Sequence, residues 1–181
     1  MPPKLDPIVE ARILDSARKL WIKGGDEALS MRAIARAART NTPAIYRRFR
    51  HRKDILRALV RGTQQQLVEV LQACQSLEEA GQRMFEFAMA HQREYQLITS
   101  GLLFRINEPR PGFELLKRRS AEWLGGSPQD HTRLVLAVFS LVHGTAMYLI
   151  TKTAPNGIDD ELLSALNTTL GLVIQNRERY Q

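Results

Sequence analysis

Eight cations and no anion fall within residues 30–53: Arg32, Arg36, Arg39, Arg47, Arg48, Arg50, Arg52 and Lys53. Such a run can capture a polyanion, either nucleic acid or an anionic membrane face. Between the cations stand groups that can address what is captured: the hydroxyls of Ser30, Thr42 and Tyr46, the apolar Pro43 and Ala44, and His51. The rest of the chain does not share this charge. Residues 1–61 hold 15 Lys/Arg and 6 Asp/Glu, a net +9, while residues 62–181 hold 11 and 13, a net −2, which together give the +7 of the whole chain.

Side chains that could catalyse lack their partners. His51, His91, His131 and His143 make no H-x-x-x-H or H-E-x-x-H pair, and Cys74 has no nearby histidine. Gly24-Gly25 lies between helices with no strand before it, and no Glu-x-x-His pair marks a di-metal bundle. The expectation is therefore no enzyme, no metal and no cofactor. The alternative to nucleic-acid recognition is an interaction module whose basic face docks an acidic protein or a membrane. Sequence-indifferent binding would favour that alternative, and a bound palindrome would eliminate it.

The 181 residues, 44% apolar and 25% charged, suit a soluble globular chain of one unit or two small ones. No apolar run approaches the roughly 20 residues that span a bilayer, so no membrane partner is expected. The start, MPPKLDPIVE, has no apolar signal core. The single Cys74 excludes an internal disulfide and suits a reducing cytoplasm.

Apolar spacing by threes and fours runs throughout, and period-2 alternation is missing, so the fold class is all-α. Helices are predicted near residues 6–23, 31–38, 42–49, 52–74, 77–91, 93–104, 112–124, 128–153 and 159–177. Breaks are predicted at Gly24-Gly25, at residues 107–112, at Gly125-Gly126-Ser127-Pro128 and at Ala154-Pro155-Asn156-Gly157. Ser30 and Asn41 are good caps for the two short helices, and Pro43 is tolerated in a first turn. On those helices Met31, Ile34, Ala35 and Ala38 share one face, as do Ile45 and Phe49. Opposite them lie Arg32, Arg36 and Arg39 on the first, and Pro43, Tyr46, Arg47 and Arg50 on the second. Two amphipathic helices joined by a tight turn, both basic outside, are what a helix-turn-helix requires: the second enters the major groove and the first crosses the backbone.

The run SMRAIARAARTNTPAIYRRFRHRKDIL, residues 30–56, resembles the DNA-binding signature of the TetR family of bacterial regulators, roughly T-x-x-x-I-A-x-x-A-G-V-S-x-G-T-L-Y-x-H-F-x-S-K-E-x-L. Ser30 stands at the Thr, Ile34-Ala35 at I-A, Ala38 at the second Ala and Asn41 at the capping Ser. Ala44-Ile45-Tyr46 stand at T-L-Y, Phe49 at the Phe, Arg52 at the Lys and Leu56 near the closing Leu. The departures are Arg39 at the usual Gly, Thr40 at the usual Val and Pro43 at a Gly position. Residues 137–150 resemble, more loosely, a region of one class of the family's C-terminal domains.

The resemblance implies a three-helix helix-turn-helix domain over residues 1–52, a connecting helix 52–74, and a larger helical domain over 53–181 for effector binding and dimerisation, about nine helices in all. It implies a homodimer on a palindromic DNA operator, usually repressing, released by a small and largely apolar effector. Arg32 and Arg47 are the expected base-edge contacts. Thr42 and Ala44 are expected at thymine methyls or phosphates, and Tyr46 at phosphate. Ser30, His51, Arg52 and Lys53 sit at helix starts, where phosphate is favoured. Arg36, Pro43 and Arg50 complete the expected DNA face. Phe85, Met89, Tyr95, Phe104, Phe113, Trp123, His143 and Met147 are the expected effector-pocket residues. Surplus apolar surface on the last two helices points to an interface of Val138, Leu141, Thr145, Leu162, Leu166, Leu170 and Val173.

Overall fold

The computed structural model describes residues 7–100, 109–155 and 157–180, and no strand occurs among them. The helices are α1 (Pro7–Ala28), α2 (Met31–Ala37), α3 (Thr42–Tyr46), α4 (Arg52–Gln72), α5 (Leu77–Ala90), α6 (Gln92–Thr99), α7 (Pro111–Leu124), α8 (Thr132–Thr151) and α9 (Asp159–Gln175), followed by a 3-10 turn at Arg177–Tyr180. The all-α class and the order of elements are those read from the sequence. Residues 101–104 of the predicted sixth helix, with Phe104, lie outside the described residues, as do residues 107 and 108 and Asn156 of the predicted breaks. The described chain forms two compact units. One holds residues 7–63 and 93–100, the other residues 64–92 and 109–180, and the change falls inside α4.

In the first unit the regular run of α1 breaks where the glycines are expected to stop it: Gly25 adopts a non-helical φ 60° and ψ −140°, and a short helical turn beyond it reaches Ala28. A side chain at Gly25 would be strained by the positive φ and would crowd the guanidinium of Arg93. The core is made by Ile13 and Ala17 of α1, Ile34, Ala35 and Ala38 around α2, Ile45 and Phe49 around α3, and Ile55, Leu56, Leu59 and Val60 of α4, all buried. From Arg93 on, α6 belongs to this unit. Arg18 Nε donates to Glu94 Oε1 at 2.6 Å, and Trp21 Nε1–H donates to the Arg93 carbonyl at 2.9 Å. Glu94 is buried, and an unpaired carboxylate there would cost several kcal/mol, on the order given for an uncompensated buried charge.

In the second unit α8 packs on α5, α7 and α9, and α9 also packs on α5. Gly81 of α5 lets Leu170 of α9 and Val138 of α8 close in: a methyl there would lie 2.8 Å from Leu170 Cδ2 and 3.5 Å from Val138 Cγ1. α7 is fastened by Arg119, whose guanidinium donates to the Cys74 carbonyl at 2.7 Å. α8 starts later than predicted. Residues 127–130 form a turn in which the Ser127 N–H donates to Asp130 Oδ2 at 2.8 Å and the Asp130 N–H to the Ser127 carbonyl at 3.1 Å. α8 also corrects the reading of apolar runs, because by length and composition this one helix is apolar enough to cross a bilayer. Ser140, His143 and Thr145 interrupt the run in the sequence, and the neighbouring helices bury Leu134, Val135, Val138, Val142, Thr145 and Ala146.

Candidate nucleic-acid interface

Two short helices too small to be stable alone are set by their caps. Ser30 is extended and its Oγ accepts from the Ala33 N–H at 3.1 Å; Asn41 is extended and its Oδ1 accepts from the Ala44 N–H at 2.8 Å. Between them α2 ends in a left-handed C-cap. Arg39 has φ 50°, its N–H donates to the Arg36 carbonyl at 3.2 Å, and the Thr40 N–H donates to the Ala35 carbonyl at 2.9 Å. That pair of bonds is the Schellman pattern, which normally uses glycine. The turn therefore keeps its geometry despite the missing glycine, with an arginine held in a strained conformation. Arg39 is exposed, so its side chain costs no packing.

The outer surface is as cationic as the spacing predicts. Arg32, Arg36, Arg39, Pro43, Arg47, Arg50, His51 and Lys53 are exposed, and Tyr46 is 52% exposed. Ser30 is exposed and Thr42 half-buried. α4 starts beside this surface with a reciprocal cap: the His51 N–H donates to Asp54 Oδ2 at 2.9 Å, and the Asp54 N–H donates to the His51 carbonyl at 3.0 Å.

Two of the expected contacts are placed otherwise. Ala44 is 6% exposed, packed beside Ile45, and has no free surface for a thymine methyl. Arg52 turns inward: Nε donates to the Leu29 carbonyl, and the terminal nitrogen donates to the Asp26 carbonyl at 2.9 Å and to the Asp26 carboxylate. The sequence offered no signal for that pairing, because Asp26 is 26 positions away. Met31, expected in the inner seam, is only half-buried.

The effector candidates do not form one described set. Tyr95 is wholly buried in the first unit. Burial raises its phenol pKa well above the ordinary value. Phe85, Met89, Phe113, Trp123, His143 and Met147 are half-buried in the second unit. Phe113 lies under Lys117, Nζ to ring centre 5.4 Å, and Trp123 under Arg119 at 4.8 Å. His143 stacks on Phe139 with centroids 5.8 Å apart and planes 13° apart. Burial lowers the pKa of His143 and favours the neutral ring. An open cavity of about 420 Å³ lies in the first unit instead, with Arg12, Asp15, Lys19, Lys23 and Arg39 on its walls and Leu20 among its lining. None of these was an effector candidate.

Of the interface candidates, Val138, Thr145, Leu166 and Leu170 are buried inside the protomer, whereas Leu141, Leu162 and Val173 are half-buried. The large apolar side chains left exposed on these helices are Leu136 and Tyr148 of α8 and Leu172 of α9. Periodicity marked the apolar helices correctly but not which of their sides the protomer itself covers.

Residues 13–59 match the sequence profile of the bacterial regulatory proteins of the tetR family. None of the curated proteins compared matches the chain. Among solved structures, a TetR variant from Acinetobacter baumannii AYE in complex with minocycline is 19% identical, with a TM-score of 0.68 over 92% of this chain and 94% of that one. A TetR-family transcriptional regulator from Streptomyces coelicolor is 22% identical, with a TM-score of 0.68 over 93% and 98%. The multidrug binding protein EbrR complexed with imidazole is 19% identical, with a TM-score of 0.67 over 96% and 93%. The N-terminal module, residues 13–59, is therefore similar to the bacterial regulatory proteins of the tetR family, and the whole fold is like that of these solved structures.

Proposed function

We propose that the chain regulates transcription by binding a palindromic DNA operator as a homodimer, that it represses, and that a small, largely apolar effector releases it. The observation that carries the reading is the exposed cationic face of a doubly capped helix pair. Arg32 and Arg47 are the base-reading candidates, and Ser30, Thr42, Tyr46, His51 and Lys53 the phosphate candidates. Pro43 packs on the sugar-phosphate edge, and Arg36 and Arg50 supply field. The dimer reading is supported by Leu136, Tyr148 and Leu172, three large apolar side chains exposed on the last two long helices. A two-fold dimer reads two half-sites where one module reads one. Similar proteins hold minocycline and imidazole, which supports a small-molecule effector, with Phe85, Met89, Phe113, Trp123, His143 and Met147 of the second unit as its candidate contacts.

Selection of bound duplexes from random DNA tests this reading. The expected product is an inverted repeat whose half-site centres lie about 10 base pairs apart, roughly 34–36 Å, or a multiple of that. Enrichment of no sequence would overturn it and favour a non-specific docking module.

A further inference from the structure

We propose that Arg52 is a positioning residue of the DNA-reading module rather than one of its phosphate ligands, and that Asp26 is its partner. This rests on the DNA-binding reading above.

The guanidinium fork is engaged on two sides. Nε reaches the Leu29 carbonyl, and the terminal nitrogen reaches both the carbonyl and the carboxylate of Asp26. Arg52 is the first residue of α4, while Asp26 and Leu29 bracket the end of α1 and the residue before the Ser30 cap. One side chain thus ties three elements together at the point where α2 begins. The Leu29 carbonyl stands between two helices, just outside the hydrogen-bond ladder of each, and Leu29 itself is buried. An isolated pair with an exposed aspartate contributes little. A planar fork shared by two carbonyls and a carboxylate has a geometry that lysine cannot reproduce. The guanidinium is a third exposed, yet its donors are aimed at the protein. Beside it His51 and Lys53 are exposed and remain available to phosphate.

The two readings of Arg52 make opposite predictions for Asp26. If Arg52 is a phosphate ligand, Asp26→Asn removes a competing anion and raises DNA affinity. If Arg52 positions the module, Asp26→Asn and Arg52→Lys each lower affinity for the selected operator by about tenfold, the size of one good base contact. Random duplex is affected much less, so the specific-to-random ratio falls. The slope of log K against log[salt] stays at the wild-type value. The double variant is no worse than either single one, because both break the same connection.

The experiment measures operator and random-duplex affinity across salt for wild type, Asp26→Asn, Arg52→Lys, Arg52→Ala and Asp26→Asn/Arg52→Lys, with thermal melting of each. A gain of affinity in Asp26→Asn overturns the proposal. So does retention of wild-type affinity and ratio by Arg52→Lys. A salt slope shallower in Arg52→Ala by about 0.9 per protomer, the signature of one phosphate no longer neutralised, overturns it as well. A uniform fall in melting temperature with the specific-to-random ratio intact also overturns it, since it leaves Arg52 a stabilising role alone. If wild type binds no DNA, the functional reading fails and positioning fails with it. The melting cycle then still reports whether Arg52 and Asp26 are coupled, so the two failures are distinguishable.

Discussion

At the scale of single residues, the caps were legible and the connections across the module were not. Ser30 and Asn41 sit three positions before the amides they bind, so spacing alone identifies them. Asp26 and Arg52 meet only because α1, α2 and α4 pack. The arginines that face outward, Arg32, Arg36, Arg47 and Arg50, followed from counting 100° per residue, whereas the burial of Ala44, expected at thymine methyls or phosphates, did not. Arg47→Ala is expected to relax base preference at one position in each half-site and cost about 1–3 kcal/mol per contact, read from selected-duplex profiles and titrations. Equal weakening of specific and random duplexes would instead assign Arg47 to phosphate. Arg39, at φ 50°, offers a test of the turn. Arg39→Gly is expected to stabilise the protein by a few tenths to about 1 kcal/mol, because relief of left-handed strain exceeds glycine's entropic cost. Denaturant titration checks it, and destabilisation would mean that the Arg39 side chain makes an interaction outweighing the strain.

Helix identities and breaks were readable because they depend on local spacing and on Gly, Pro, Ser and Asn. Which side of a helix is covered depends on the neighbours that packing brings, and here the sequence reading of α8 and α9 was only partly informative. Leu166 and Leu172 make the contrast: the first is 3% exposed and the second 53%. Leu166→Glu buries an unpaired carboxylate in the protomer, so it is expected to lose at least the roughly 2–5 kcal/mol that truncation of a buried leucine costs. Leu172→Glu is expected to leave melting of the protomer nearly unchanged and to shift the sedimenting species to monomer. A dimeric Leu172→Glu protein would move the interface elsewhere. His143, in the same region, has its folded pKa held below the ordinary value of about 6.5 by burial. The unfolded chain therefore binds more protons there. The stability that neutral His143 contributes is complete above about 6.5 and is lost as pH falls below it toward the folded value. His143→Phe is expected to flatten the melting temperature against pH across that window. An unchanged profile would show that His143 titrates alike in both states.

For the whole molecule, charge separation between the two ends of the sequence is the property that composition alone disclosed and that the fold concentrates. Of the net +9 on residues 1–61, against −2 on the rest, Arg32, Arg36, Arg39, Arg47, Arg50 and Lys53 stand exposed on and beside the capped helix pair. The central claim is that this face binds the DNA backbone as a dimer. The most direct test is the equilibrium constant for a selected operator, measured by fluorescence anisotropy over a series of monovalent salt concentrations. With about 6–10 phosphates neutralised per dimer, log K against log[salt] should fall with a slope of about −5 to −9. A slope near zero would contradict the account.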